Sequence, residues 1–86
     1  MAGKVISFGF KRRSFPPQAD VVKDVRGLGH DMSVPEVDNL IDEIAANYQD
    51  GQIVAIGCEK GKHRSVEIAK RLGEKLKLRA VHRDKH

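Results

Sequence analysis

The sequence has no tryptophan and a single cysteine, Cys58. One thiol excludes an internal disulfide, and without a CxxC pair there is no structural zinc motif. A reduced, cytoplasmic setting is the default that follows. Long apolar runs are missing as well. The longest near the N-terminus, in "KVISFGF", is broken by Ser7 and Gly9, too short for a signal-peptide core or a membrane span. The final "VHRDKH" is neither a purification tag nor a lipidation signal. Aromatic residues are limited to Phe8, Phe10, Phe15 and Tyr48, so stacking on single-stranded bases is expected to be weak. The four histidines and Cys58 show no ligand-pair spacing, so no metal is expected, and no other cofactor is called for. A chain of 86 residues has room for one core, which makes 1–86 a single domain.

What is present is charge, unevenly placed. The net +4 is the sum of +4 over residues 1–30, −6 over 31–50 and +6 over 51–86. Basic ends around an acidic middle suggest a molecule with one anion-attracting face.

The hydrophobic pattern gives six elements. "KVISFGF" (4–10) and "ADVVKDV" (19–25) are of strand type. Pro16 and Pro17 mark a tight connection between them. From Val37, the apolar residues Leu40, Ile41, Ile44, Ala45 and Tyr48 recur at helical spacing, with a capping-box pair at Ser33 and Glu36 and a stop at Gly51. "QIVAI" (52–56) is a continuous apolar run, expected of a strand covered on both faces. A second helix is expected from about Ser65 to Lys77, then an edge strand in "LRAVHR" (78–83). The order β-β-α-β-α-β predicts a small α/β domain with a mainly parallel sheet of about four strands and two principal helices. The short first connection is its weak point, because parallel neighbours usually need a crossover of about a dozen residues or more.

In such a sheet the carboxyl ends of the strands share one edge, where open α/β sheets bind ligands. Lys11–Arg13, Asp24–Arg26 with His30, the stretch "GCEKGKHRSV" and His82–Arg83 all fall there. That stretch follows the third strand and opens the second helix, a geometry that aims free backbone N–H groups at an anion. Gly57 and Gly61 let the backbone curl, Arg64 reaches back as a clamp, and Ser65 caps the helix or bonds Cys58. Helix amides and Arg64 would favour the Cys58 thiolate. Three residues separate Gly57 from Gly61 and His63 follows Lys62, so the nucleotide-binding Walker pattern is not met. The plainer readings are Cys58 as a small buried hydrophobe and His82 and Arg83 as ordinary edge-strand residues.

Cys58, Gly61, Arg64 and Ser65 fit C-x2-G-x2-R-[ST], which resembles the signature of cysteine-dependent phosphatases. That resemblance implies a Cys58 nucleophile, an Arg64 clamp and a leaving-group acid such as Asp24 or Asp31. A second resemblance covers most of the chain. "VISFGFK" (5–11), "DVR" (24–26), "AIGC" (55–58), "GKHRSVEIAKRL" (61–72) and "HRD" (82–84) occur in the order of the C-terminal domain of RapZ-type RNase adapters. It implies a pocket for a phosphosugar, such as an amino-sugar phosphate, and a basic surface for structured RNA. The ligand residues would be Gly57, Cys58, Glu59, Lys60, Gly61, Lys62, His63, Arg64 and Ser65, with His30 and Arg26. The RNA contacts would be Lys11, Arg12, Arg13, Lys60, Lys62 and Arg83. The segment between "DVR" and "IGC" is shorter here than the family pattern. The expected function is a phosphate-ligand-binding regulatory module, with no membrane partner and with self-association left open. The alternatives are a small phosphatase using Cys58 and Arg64, or an adapter that binds proteins through its acidic helix, 36–48.

Overall fold

In the computed structural model, residues 3–10, 18–27, 35–59 and 64–83 are described. Lys11, Arg12, Arg13, Pro16, Pro17, His30, Asp31, Ser33, Lys60, Gly61, Lys62, His63 and Asp84 lie outside the described residues. The six expected elements are present. They are β1 (Lys4–Gly9), β2 (Val21–Asp24), α1 (Pro35–Asn47), β3 (Ile53–Cys58), α2 (Arg64–Leu76) and β4 (Arg79–His82). Their ends differ from the sequence pattern by one or two residues. One of these differences matters. Gly57 and Cys58, expected in the loop, are the last residues of β3, paired with Phe8 and Gly9 of β1.

All four strands are parallel, in the order β2-β3-β1-β4. β1 and β2 are therefore not neighbours, because β3 lies between them. They still run parallel, and the eleven residues between Gly9 and Val21 must make that crossover, close to the usual minimum of about a dozen.

Alternation along the strands separates two faces. On one face Val5, Val54, Ile56 and Cys58 meet Val37, Ile41 and Ile44 of α1 and Ile68, Ala69 and Leu72 of α2 in one core cluster. Ile68 and Leu72 have no solvent exposure, and each contributes roughly 1.5–3 kcal/mol by leaving water. Among the described residues both helices lie on this face. The other face carries Ile6, Phe8 and Phe10 from β1 and its exit, beside Ala55 and Gly57 of β3.

The acidic middle and basic end of the sequence meet where the helices touch. Lys75 of α2 reaches Asp42 of α1 at 2.9 Å, and Arg71 reaches Asp38 at 4.0 Å. Such exposed pairs contribute only about 0–1 kcal/mol each. They do mean that two acids of α1 already face cations of the same chain. At the other end of α1, the chain turns into β3 through Gly51 at φ 89°, a left-handed conformation that favours glycine.

Candidate anion site at the carboxyl edge of the sheet

Parallel pairing brings the exits of all four strands to one edge, and the two faces of that edge differ. On the helix side, Cys58 is 3% exposed and belongs to the core cluster. Its thiol donates to Ser65 Oγ at 3.2 Å, under the first turn of α2. Ser65 is fully buried, so this bond also satisfies its hydroxyl. Ser7, equally buried on the central strand, shares a 2.7 Å hydrogen bond with His82 Nδ1 at the end of β4. The plainer reading of Cys58, a small side chain packed at a strand end, describes its position well.

The helix-free side is built on a glycine. A Cβ on Gly57 would come within 2.5 Å of Phe10 Cε2 and 2.7 Å of Phe8 Cε2. Neither its pairing nor its backbone angle calls for glycine, since the left-handed glycine among the described residues is Gly51. Gly57 is glycine because two rings lie on it. Phe8 and Phe10 meet edge to face at 4.9 Å and 62°. Two guanidinium groups cover those rings, Arg26 at 4.1 Å above Phe10 and Arg83 at 5.3 Å above Phe8.

Arg26 is held from several sides. Its Nε donates to both carboxylate oxygens of Asp24 at 3.0 Å, and its Nη2 donates to Oδ2 at 2.7 Å. The backbone N–H of Arg26 also donates to Asp24 Oδ1, at 2.9 Å. This closes a turn directly after β2. Arg64, the first residue of α2, donates from Nη1 to the Arg26 carbonyl at 3.0 Å. The start of α2 is thereby tied to the exit of β2. The side-chain bond to Asp24, opposed by slight desolvation, raises the Arg26 pKa further above its ordinary value, with Coulomb attraction from Asp24 and Glu59 adding to it.

The same bond from Arg26 holds the Asp24 carboxyl below its ordinary value of 3.8. A group lowered on folding contributes stability above its unfolded pKa and loses it as pH falls through the lowered value. The Asp24–Arg26 pair therefore persists throughout the neutral range. Asp24, one candidate for the phosphatase acid, is paired here with Arg26. Asp31, the other, lies outside the described residues.

Of the residues expected at the site, Gly57 and Cys58 end β3, Glu59 follows them, and Arg64 and Ser65 open α2. Arg26 joins Arg64 and Glu59 from β2, whereas Arg83 reaches the helix-free face through Phe8. Lys60, Gly61, Lys62, His63, His30 and Lys11–Arg13 are outside the described residues. Sequence reasoning missed Phe10 and Asp24 as partners of Arg26. The two-residue spacing of "DVR" carried that signal for Asp24; nothing local did for Phe10. Among the described residues no group of three or more His, Cys, Asp or Glu side chains is placed to hold a metal ion. No helix among them is long and apolar enough to cross a membrane.

Comparison with known proteins adds an independent line. The family model described as the RapZ C-terminal domain matches residues 30–86. A nucleotide-binding protein of Moorella thermoacetica is 38% identical over 103 positions, covering 84% of this chain and 34% of the relative. Another from Pediococcus pentosaceus is 34% identical over 118 positions, covering 96% and 40%. A third, from Lactiplantibacillus plantarum, is 31% identical over 116 positions, covering 94% and 39%. The chain thus spans less than half the length of these curated relatives. Alignments of 103 to 118 positions against 86 residues also mean that the relatives carry insertions relative to this chain.

Proposed function

The chain belongs to the RapZ C-terminal domain family, and from that premise we propose that it is a regulatory module binding phosphate-bearing ligands at the carboxyl edge of its sheet. The observation that carries the reading is the junction of Arg64 with the Arg26 carbonyl. It sets a guanidinium at the first turn of α2, beside the exit of β2, where the strand-to-helix geometry favours an anion. Relatives named nucleotide-binding proteins fit a ligand that bears phosphate. The finer reading is a phosphosugar in the segment 58–65, with structured RNA drawn to the basic edge. Both would need the same cations, so they should compete.

The test is a phosphate titration followed by backbone amide shifts. Millimolar phosphate, and then an amino-sugar phosphate, should move the amides of residues 58–65 more than any others. Largest shifts elsewhere would sink the reading. A stem-loop RNA titrated at two salt concentrations should lose affinity with a slope of about −0.7 to −0.9 per phosphate contact. No binding at low salt would remove RNA from the function. Hydrolysis is expected to be slow or absent, since Asp24 is already committed to Arg26. Turnover of a phosphomonoester at about 1 per second or faster, lost in Cys58→Ser, would replace binding with catalysis.

A further inference from the structure

Arg26 shows an arrangement that stability does not explain. Its side chain is 50% exposed and that of Asp24 is 44% exposed, and exposed ion pairs contribute little. Yet Asp24 engages Nε and Nη2, the Phe10 ring lies 4.1 Å beneath, and Arg64 holds its carbonyl. A freely rotating arginine would keep most of its rotamer freedom in water. Here that freedom is removed before any ligand arrives, which lowers the ordering cost of binding.

We propose that Asp24 is a positioning residue for the ligand site, fixing the Arg26 guanidinium on Phe10 so that its remaining edge is presented to a phosphate-bearing ligand. The claim rests on the phosphate-binding reading above. Asp24 binds Arg26 along one side of the fork, and among the described residues Nη1 takes no hydrogen-bond partner. That leaves a planar donor edge in a fixed orientation, the form of guanidinium suited to phosphate oxygens. Asp24 itself touches no ligand. It acts through Arg26.

Asp24→Asn separates this role from simple electrostatics by the sign of its effect. Removing a negative charge beside an anion site should tighten phosphate binding if charge alone mattered. Loss of positioning should weaken it instead, by about three- to tenfold, the range expected when one long side chain must be ordered on binding. Asparagine can still accept from the Arg26 backbone N–H, so the turn after β2 survives and the variant reports on the side chain.

Inorganic phosphate affinity should be measured for wild type, Asp24→Asn, Arg26→Lys and the double variant. The Arg26 Nε–H resonance of the free protein serves as a second readout. The expected results are weaker binding in Asp24→Asn, loss of its slowly exchanging Nε–H signal, and no further weakening when Asp24→Asn is added to Arg26→Lys. Phosphate binding in Asp24→Asn equal to or tighter than wild type overturns the positioning role and leaves the phosphate site standing. So does equal weakening in the Arg26→Lys background. Absence of phosphate binding by the wild type removes the site and this role together.

Discussion

Gly57→Ala will destabilise the fold by about 3 kcal/mol, at the upper end of what overpacking one methyl group usually costs. The added Cβ would stand within 2.5 Å of Phe10 Cε2 and 2.7 Å of Phe8 Cε2. Phe8 has no solvent exposure and cannot swing away without opening the helix-free face. Phe10 can move, but only by displacing the Arg26 guanidinium stacked on it. For a chain of this size the loss is a large part of its stability, and the melting temperature should fall on the order of 15 °C. Chemical denaturation of the variant tests it directly; a cost below about 1 kcal/mol would mean that the rings do not rest on Gly57 as described. Adding Phe10→Leu to Gly57→Ala should recover part of the loss, because Phe8 remains beneath the new methyl group. The Gly57 variant should also bind phosphate more weakly at temperatures where it is folded, since its effect passes through Phe10 to Arg26.

Gly57 shows where the sequence was legible and where it was not. A glycine before the cysteine invites a reading as loop curvature, and local sequence offers nothing against it. The true cause sits across the sheet, in the register that pairs Phe8 with Gly57. Strand order is non-local in the same way. β-branched runs and helical spacing fixed all six elements to within a residue or two, yet nothing in them said that β3 would separate β1 from β2. The bond from Ser7 to His82 joins residues 75 apart and could be found only through the pairing of β1 with β4. By contrast, the Cys58–Ser65 contact was readable, because a strand end and the first turn of the following helix face each other across a short loop. The charge asymmetry was readable as a number but not as a cause. Asp38 and Asp42 meet Arg71 and Lys75 across the helix pair, so part of the acidic middle answers the basic end within the chain itself.

Arg64→Ala should weaken phosphate binding by about ten- to a hundredfold, the equivalent of one charge-assisted hydrogen-bonded group at roughly 1.5–3 kcal/mol. The bond that Arg64 gives the Arg26 carbonyl is exposed, and such a bond contributes only about 0.5–1.5 kcal/mol. Chemical denaturation of the variant should therefore show a loss of stability smaller than its loss of ligand. That separation makes the variant informative: it should remain folded while losing ligand. Arg64→Lys keeps the charge but not the planar fork, so its affinity should fall between wild type and alanine. If positive charge alone holds the anion, lysine will match arginine and raising the salt will weaken both equally. If the fork matters, the difference between them will persist at high salt, where long-range attraction is screened. Phosphate affinity in Arg64→Ala within about twofold of wild type would place the anion elsewhere on the edge, and the junction of α2 with β2 would then be a structural tie only.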